Sequence, residues 1–241
     1  MPTKLNGILI AGAPHSGKKT LGRLLESVLM SGENNYIIRE DLRGIISWGL
    51  TLTDDLGKTL RKRIRLVKPI LLPDELIERL FAAWLEAQTA SGDASSKVFI
   101  VSDLPQTDQQ VSLIAHFDRV QVVHIKATRQ QALANLMQSI RNAPKTKHCE
   151  DPATQMLVLD HLLNEYERVT IPALARLNGT VVSVESTNPS IRLEFVLKHL
   201  ERLTSEQSPV GRRKLVRGLF KLRHGIHRDH ELLTELEARC A

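Results

Sequence analysis

The stretch ILIAGAPHSGKKT, residues 8–20, sets glycines at 12 and 17, a lysine directly after the second glycine, and a threonine two residues later. Glycines so spaced let backbone N–H groups close round an anion without side-chain clashes. A helix starting at the lysine aims its positive end at the same anion. Lys18 would reach the terminal phosphates of a nucleoside triphosphate, and Thr20 offers a hydroxyl to a phosphate oxygen. The candidate phosphate contacts are therefore Gly12, Ala13, Pro14, His15, Ser16, Gly17, Lys18, Lys19 and Thr20. The same pattern could be a strand-to-helix turn with no ligand. An apolar run before it and an amphipathic run after it favour phosphate.

Those flanking runs are the elements that must position the loop. Ile8–Ile10 suits a buried parallel strand, and Leu21, Leu24, Leu25, Val28 and Leu29 recur at helical spacing. Further strands are expected at 36–38, 98–101, 120–125 and 179–185. Helical spacing dominates 41–88, broken at KPILLPDE. It returns at 130–140, from about 152 to 177, and at 190–203. Strands alternating with helices predict an α/β fold, a parallel sheet covered on both faces, with the ligand at the carboxyl ends of the strands.

The chain has 241 residues, 42% of them hydrophobic, enough for one such domain with an appendage. Aromatics are only 4%, which predicts a core of Leu, Ile, Val and Ala. Cys149 and Cys240 match no zinc or redox spacing and read as free thiols. No leader and no bilayer-length apolar run is seen, so a soluble, cytoplasmic protein is expected. The net charge of +6 is concentrated at 210–230, which hold seven Lys or Arg against one Asp. Residues 204–211 read as a linker to this tail. Leu215, Val216, Leu219, Phe220 and Ile226 fall on or near one helical face of it. A basic amphipathic helix suits RNA phosphates, an acidic protein groove, an anionic membrane, or the chain's own domain. The basic run KTLRKRIRLVK at 58–68 reads as a solvated helix face. Asp54, Asp55, Asp74 and Glu75 read as helix-start residues, and His116, His124 and His161 as isolated packing or surface residues.

GAPHSGKKT resembles the P-loop of the adenylate kinase, or nucleoside monophosphate kinase, family, in which the threonine also comes two residues after the lysine. Other segments are similar in the same order: EDLR (40–43), LLPDEL (71–76), FIVSDLPQTDQQ (99–110), YERVTIP (166–172) and VVSVESTNP (181–189). The resemblance covers about residues 5–203. It implies a P-loop NTPase-type, five-stranded parallel sheet with a helical acceptor-binding insert at about 40–90 and a short lid at about 141–152. It implies transfer of the ATP γ-phosphoryl group, with Mg²⁺, to a nucleoside monophosphate, AMP first among them. Lys18, Arg43 and Arg141 are the catalytic cations it implies. Arg43 and Gln110 would hold the acceptor, and Thr20 and Asp103 the metal shell.

The departures fall on the family's cations. Its expected arginines align with Gln106, Asn135, Ser139, Leu162 and His148, and a glycine aligns with His15. The family aspartate aligns with Ser102, although Asp103 is adjacent. Lys19, Lys145, Lys147 and His148 are candidates to resupply charge, but an ammonium does not reproduce a bidentate guanidinium. Two readings stay open: a divergent kinase with a rewired cation set, or a nucleotide-binding module that has lost transfer and acts through its tail. Arginines supplied at the positions of Gln106 and Leu162 would favour the first; neutral surroundings there would favour the second.

Overall fold

Alternation along the strands decides the layering. In β1 (Asn6–Gly12), Ile8 and Ile10 face one side of the sheet and Leu9 and Ala11 the other, and all four are buried. The same alternation separates Ile100 from Phe99 and Val101 in β3 (Lys97–Ser102), and Val123 and Ile125 from Val122 in β4 (Arg119–Ile125). With β2 (Tyr36–Asp41) and β5 (Val181–Val184) these strands form a five-stranded sheet in the order β2-β3-β1-β4-β5. Every pairing is parallel. The computed structural model describes residues 5–30, 36–66, 72–90, 97–142, 151–177 and 181–204. The tail, most of the expected lid and Cys149 lie outside them.

One face is covered by α1 (Lys18–Met30) and α8 (Pro189–Thr204). Leu21 and Leu25 from the first and Leu193, Val196 and Leu197 from the second close on Ile8, Ile10 and Ile100. The other face receives the insert between β2 and β3, whose elements among the described residues are helices: α2 (Leu42–Thr51), α3 (Asp55–Leu66) and α4 (Asp74–Thr89). Asp41 caps α2 by accepting from the Gly44 N–H at 2.9 Å. Arg61 of α3 turns back and donates to the carbonyls of Leu50 and Leu52, which α2 leaves unpaired at its end. The helical stretch of 41–88, expected to break at KPILLPDE, has α3 and α4 on either side of that break and a further break after Thr51 that separates α2.

Few aromatics are present, yet they do not stay outside the core as the composition predicts. Phe81 and Trp84 of α4 meet Phe99 of β3 and Phe117, with neighbouring ring centroids 5.8–6.1 Å apart. This cluster fastens the insert to the sheet. Phe117 follows a 3-10 helix, Gln109–His116, that the residue pattern does not predict.

The stretch beyond β4 differs from expectation in pitch. α5 (Arg129–Asn142) is as predicted, and the helix expected from 152 to 177 runs without a gap over 152–175, with a change of pitch inside it. α6 (Pro152–Glu165) widens into a π-turn, Tyr166–Thr170, before α7 (Ile171–Ala175). Pro172 directly follows the π-turn, where the helix changes pitch. The widened turn buries both Tyr166 and Thr170. Among the described residues no helix is long and apolar enough to cross a membrane.

Phe99 is fully buried and touches two of the aromatic rings. Phe99→Ala should lower the free energy of unfolding by about 3–5 kcal/mol in chemical denaturation. A loss below about 1 kcal/mol would mean the insert is fastened elsewhere.

Candidate phosphate-binding site

The loop after β1 reaches its shape through left-handed backbone. Gly12 (φ 154°) and Gly17 (φ 91°) lie where side chains are disfavoured. His15 has φ 56°, so the position that is glycine in the resembling family needs a left-handed residue here too. Histidine is among the residues that tolerate this region better than most. His15 is exposed as a residue, but partial desolvation of its ring against the loop, then the charges of Lys18 and Arg43, lower its pKa from the ordinary histidine value.

Lys18 begins α1 and bends back over the loop. Its ammonium donates to the carbonyls of Gly12 (2.9 Å) and Ala13 (2.7 Å) and pairs with Asp103 at 3.2 Å. An ammonium has three N–H donors, and these partners account for all three. Burial pushes the Lys18 pKa down, and Asp103 opposes that shift. Asp103 follows β3 with φ 69°, and its N–H donates to the Ile10 carbonyl at 2.9 Å. The carboxylate is therefore supplied one residue after the aligned position, where Ser102 is buried.

Lys19 points elsewhere. It pairs at 2.7 Å with Asp41, the cap of α2. Burial alone would raise the Asp41 pKa, but bonds from Lys19 and the Gly44 N–H, with the Lys19 charge, hold it low. Lys19 thus ties the loop to the insert, next to Arg43. Arg43 is exposed, two residues after the Asp41 that pairs with Lys19, and its charge helps to lower the pKa of His15 and of Lys18. Arg141 is exposed in the last turn of α5. Thr20 and Pro14 are half-buried and Ala13 is buried. Ser16 is fully buried, and its hydroxyl has no hydrogen-bond partner among the described residues.

Gln110 sits deeper than expected. It is 2% exposed, and both ends of its carboxamide are engaged. Nε2 donates to Asp74 (2.7 Å), and Oε1 accepts from the Gln106 N–H (2.8 Å). A base edge could take this carboxamide only by exchanging those bonds. Asp74 also accepts from Thr107 (2.9 Å), so it is more than a helix-start residue: it joins α4 to the segment after β3. Thr170 in the π-turn donates to the Gln106 carbonyl at 2.8 Å, which extends the chain of bonds to the far side. The Leu104–Pro105 peptide within this segment is cis.

Two contacts of the loop were not legible in the sequence. Asn135, where an arginine was expected, donates to the His15 carbonyl at 2.7 Å. Arg192 of α8 is buried and donates to the carbonyl of Ser16 at 2.5 Å and to that of Ser186. The position of Gln106 is flanked by neutral partners, and Leu162 is partly exposed. Three arginines of the neighbouring segments are committed to acids: Arg129 to Asp160 and Glu167, Arg168 to Glu165, and Arg176 to Asp108.

Of the basic run, Lys62 and Arg63 are exposed as expected. With Arg79 they line a cavity of about 390 Å³ between α3 and α4. His116 packs on Phe81, and His161 is exposed. No group of three metal-binding side chains occurs among the described residues. His124 is the exception among the isolated histidines. It is buried in β4, and its Nε2 is hydrogen-bonded to the Tyr166 hydroxyl. Tyr166 packs with Ala13 of the loop. Burial, then Lys126, pushes His124 down to about 4, and burial, then Glu167, pushes Tyr166 up to about 12.

No protein-family profile matches the chain. Among curated proteins it is 27% identical over 120 residues to the adenylyltransferase and sulfurtransferase MOCS3 of Aedes aegypti. That match takes in 49% of this chain and 27% of that protein, so the chain spans about a quarter of its relative. Among solved structures it is similar to a gluconokinase from Sinorhizobium meliloti 1021, with a TM-score of 0.51 and 17% identity. The superposition covers 85% of this chain and 96% of the gluconokinase. A shikimate kinase from Acinetobacter baumannii, in complex with shikimate, superposes with a TM-score of 0.48 and 13% identity, over 84% and 95% of the two chains. The gluconokinase likeness bears out the fold alone: a five-stranded parallel sheet with helices on both faces. At this identity it carries no statement of substrate.

The buried histidine gives a pH signature. The folded pKa of about 4 is below the unfolded value of about 6.5, so the unfolded chain binds more protons between the two. The stability contributed by neutral His124 is complete above about pH 6.5 and is lost as pH falls toward 4. The slope is at most one proton, about 1.4 kcal/mol per pH unit. Denaturant unfolding at a series of pH values should show His124→Gln flattening this stretch. An unchanged slope in the variant would place the titration on other groups.

Proposed function

We propose that the chain binds Mg·ATP through residues 12–20 and transfers the γ-phosphoryl group to a nucleoside monophosphate, AMP being the acceptor to which the resemblance points. One observation carries the reading. Lys18, at the carboxyl end of β1, faces Asp103, at the carboxyl end of β3, with Arg43 close enough on the insert to perturb Lys18. Phosphoryl transfer needs aligned cations more than covalent chemistry.

The residues do the following in this reading. Lys18 gives up one or more of its three present acceptors and turns to the β- and γ-phosphates. Gly12 and Gly17 keep the loop free of side chains where the phosphates approach. Arg43 of the insert takes the acceptor phosphate, and Arg141 and the lid lysines cover the transferring group. Gln110, Asp74 and Thr107 fix the segment that carries Asp103. Mg²⁺ fits a site of hard oxygen donors: the Asp103 carboxylate beside the loop and the Thr20 hydroxyl at the start of α1. When bound with ATP, the ion neutralises phosphate charge.

A specific observation favours a second reading, a nucleotide-binding module without efficient transfer. Gln106 is hydrogen-bonded to neutral partners, and Arg129, Arg168 and Arg176 are held by carboxylates. An arginine missing from a transferring site costs orders of magnitude in rate. In this second reading the tail, residues 204–241, docks on RNA, an acidic protein or an anionic membrane.

A coupled assay for ADP, with Mg·ATP and each of AMP, CMP, UMP, GMP and dTMP, separates the two. The kinase reading predicts ADP with one acceptor, at a rate well below that of an arginine-complete site. ADP formation at the no-acceptor background with all five leaves the module reading in its place.

A further inference from the structure

Arg192 is a buried guanidinium, and among the described residues no carboxylate forms an ion pair with it. It comes from α8, 176 residues after the loop it touches. Two of its N–H groups have backbone acceptors: Nη1 donates to Ser16 O at 2.5 Å, and Nε donates to Ser186 O. A planar, rigid group with both ends engaged fixes the spacing between the two carbonyls.

The consequence lies in the next peptide unit. A trans peptide is planar, and its C=O and N–H point to opposite sides. With Ser16 C=O held toward Arg192, the Gly17 N–H must point away from Arg192. An anion gripped by the loop would meet the Gly17 N–H from that side. The same contact explains a second requirement for glycine. A Cβ at position 17 would stand 2.7 Å from Arg192 Nη1, besides meeting the left-handed φ. Burial without a carboxylate lowers the Arg192 pKa but leaves the group charged. A charge so placed is costly unless an anion compensates it.

We propose that Arg192 is the positioning residue of the phosphate loop. It holds the Ser16–Gly17 peptide with its N–H turned to the triphosphate, and it sets an unpaired positive charge behind that peptide. The inference rests on reading the loop as the ATP site. Lys18 and Lys19 are satisfied by Asp103 and Asp41, so Arg192 is the loop's uncompensated buried cation among the described residues.

Calorimetric titration of the full chain with inorganic tripolyphosphate, ATP and adenosine, each with Mg²⁺, tests this. The proteins are the wild type, Arg192→Lys and Arg192→Gln, each checked by thermal unfolding without ligand. Arg192→Gln should weaken tripolyphosphate and ATP by about ten- to a hundredfold, and Arg192→Lys should recover part of the loss. Adenosine affinity should change by less than about threefold, because no phosphate is read. A purely structural role would weaken adenosine and polyphosphate alike. A folded Arg192→Gln that binds tripolyphosphate like the wild type overturns the proposal while leaving the ATP site intact. A wild type that binds neither ATP nor tripolyphosphate overturns the ATP reading itself, and the proposal with it. Should Arg192→Gln fail to fold, Arg192→Lys decides: its ammonium cannot span both carbonyls, so tripolyphosphate affinity must fall with adenosine unchanged. Equal tripolyphosphate affinity in that variant and the wild type overturns the proposal.

Discussion

A buried ammonium needs acceptors, and the site is organised by how Lys18 gets them. Two come from the carbonyls of Gly12 and Ala13, and one from Asp103. Each depends on a different part of the fold. The carbonyls turn inward because the loop runs through left-handed backbone. Asp103 arrives because β3 lies parallel beside β1, so that both strands end at the same edge of the sheet. The parallel sheet is thus the condition for the charge arrangement, and its two-sided hydrophobic strands are the condition for the sheet.

The insert is joined to this centre by polar contacts above and aromatic contacts below. Lys19 with Asp41, and Asp74 with Thr107 and Gln110, fasten it near the loop. The ring cluster around Phe81 and Phe99 fastens it further down the sheet. Gln106 occupies the midpoint of a chain from Asp74 through Gln110 to Thr170. Its backbone is fully used there, whereas its side chain brings no charge. The position to which the adenylate kinase resemblance assigns an arginine thus carries a neutral side chain.

What could be read from the sequence was local. The loop, the five strands and their flanking helices follow from glycine spacing and from hydrophobic periods of 2 and 3.6, which are set by neighbours along the chain. Contacts closed by the fold were not legible. Arg192 looks like an ordinary residue of an amphipathic helix until α8 lands against the loop. Asn135 reads as a lost arginine until its amide meets the His15 carbonyl. His124 reads as isolated because Tyr166 lies 42 residues away, and the π-turn that buries Tyr166 has no signal in the apolar spacing. Gln110 was expected to hold the acceptor by resemblance, and its inward bonds could not be read because they needed Asp74, from an element 36 residues earlier. The aromatic core was underestimated because a small number of rings was taken to mean a small role.

The central claim is that the Lys18 ammonium, released from its resting acceptors, holds the triphosphate. Calorimetric titration of Mg·ATP into the wild type and into Lys18→Ala tests it most directly. The account predicts saturable binding to the wild type and none in the variant, with the variant still folded by circular dichroism. Equal affinity in the two proteins would contradict it, because a loop that grips phosphate cannot be indifferent to the cation at its centre.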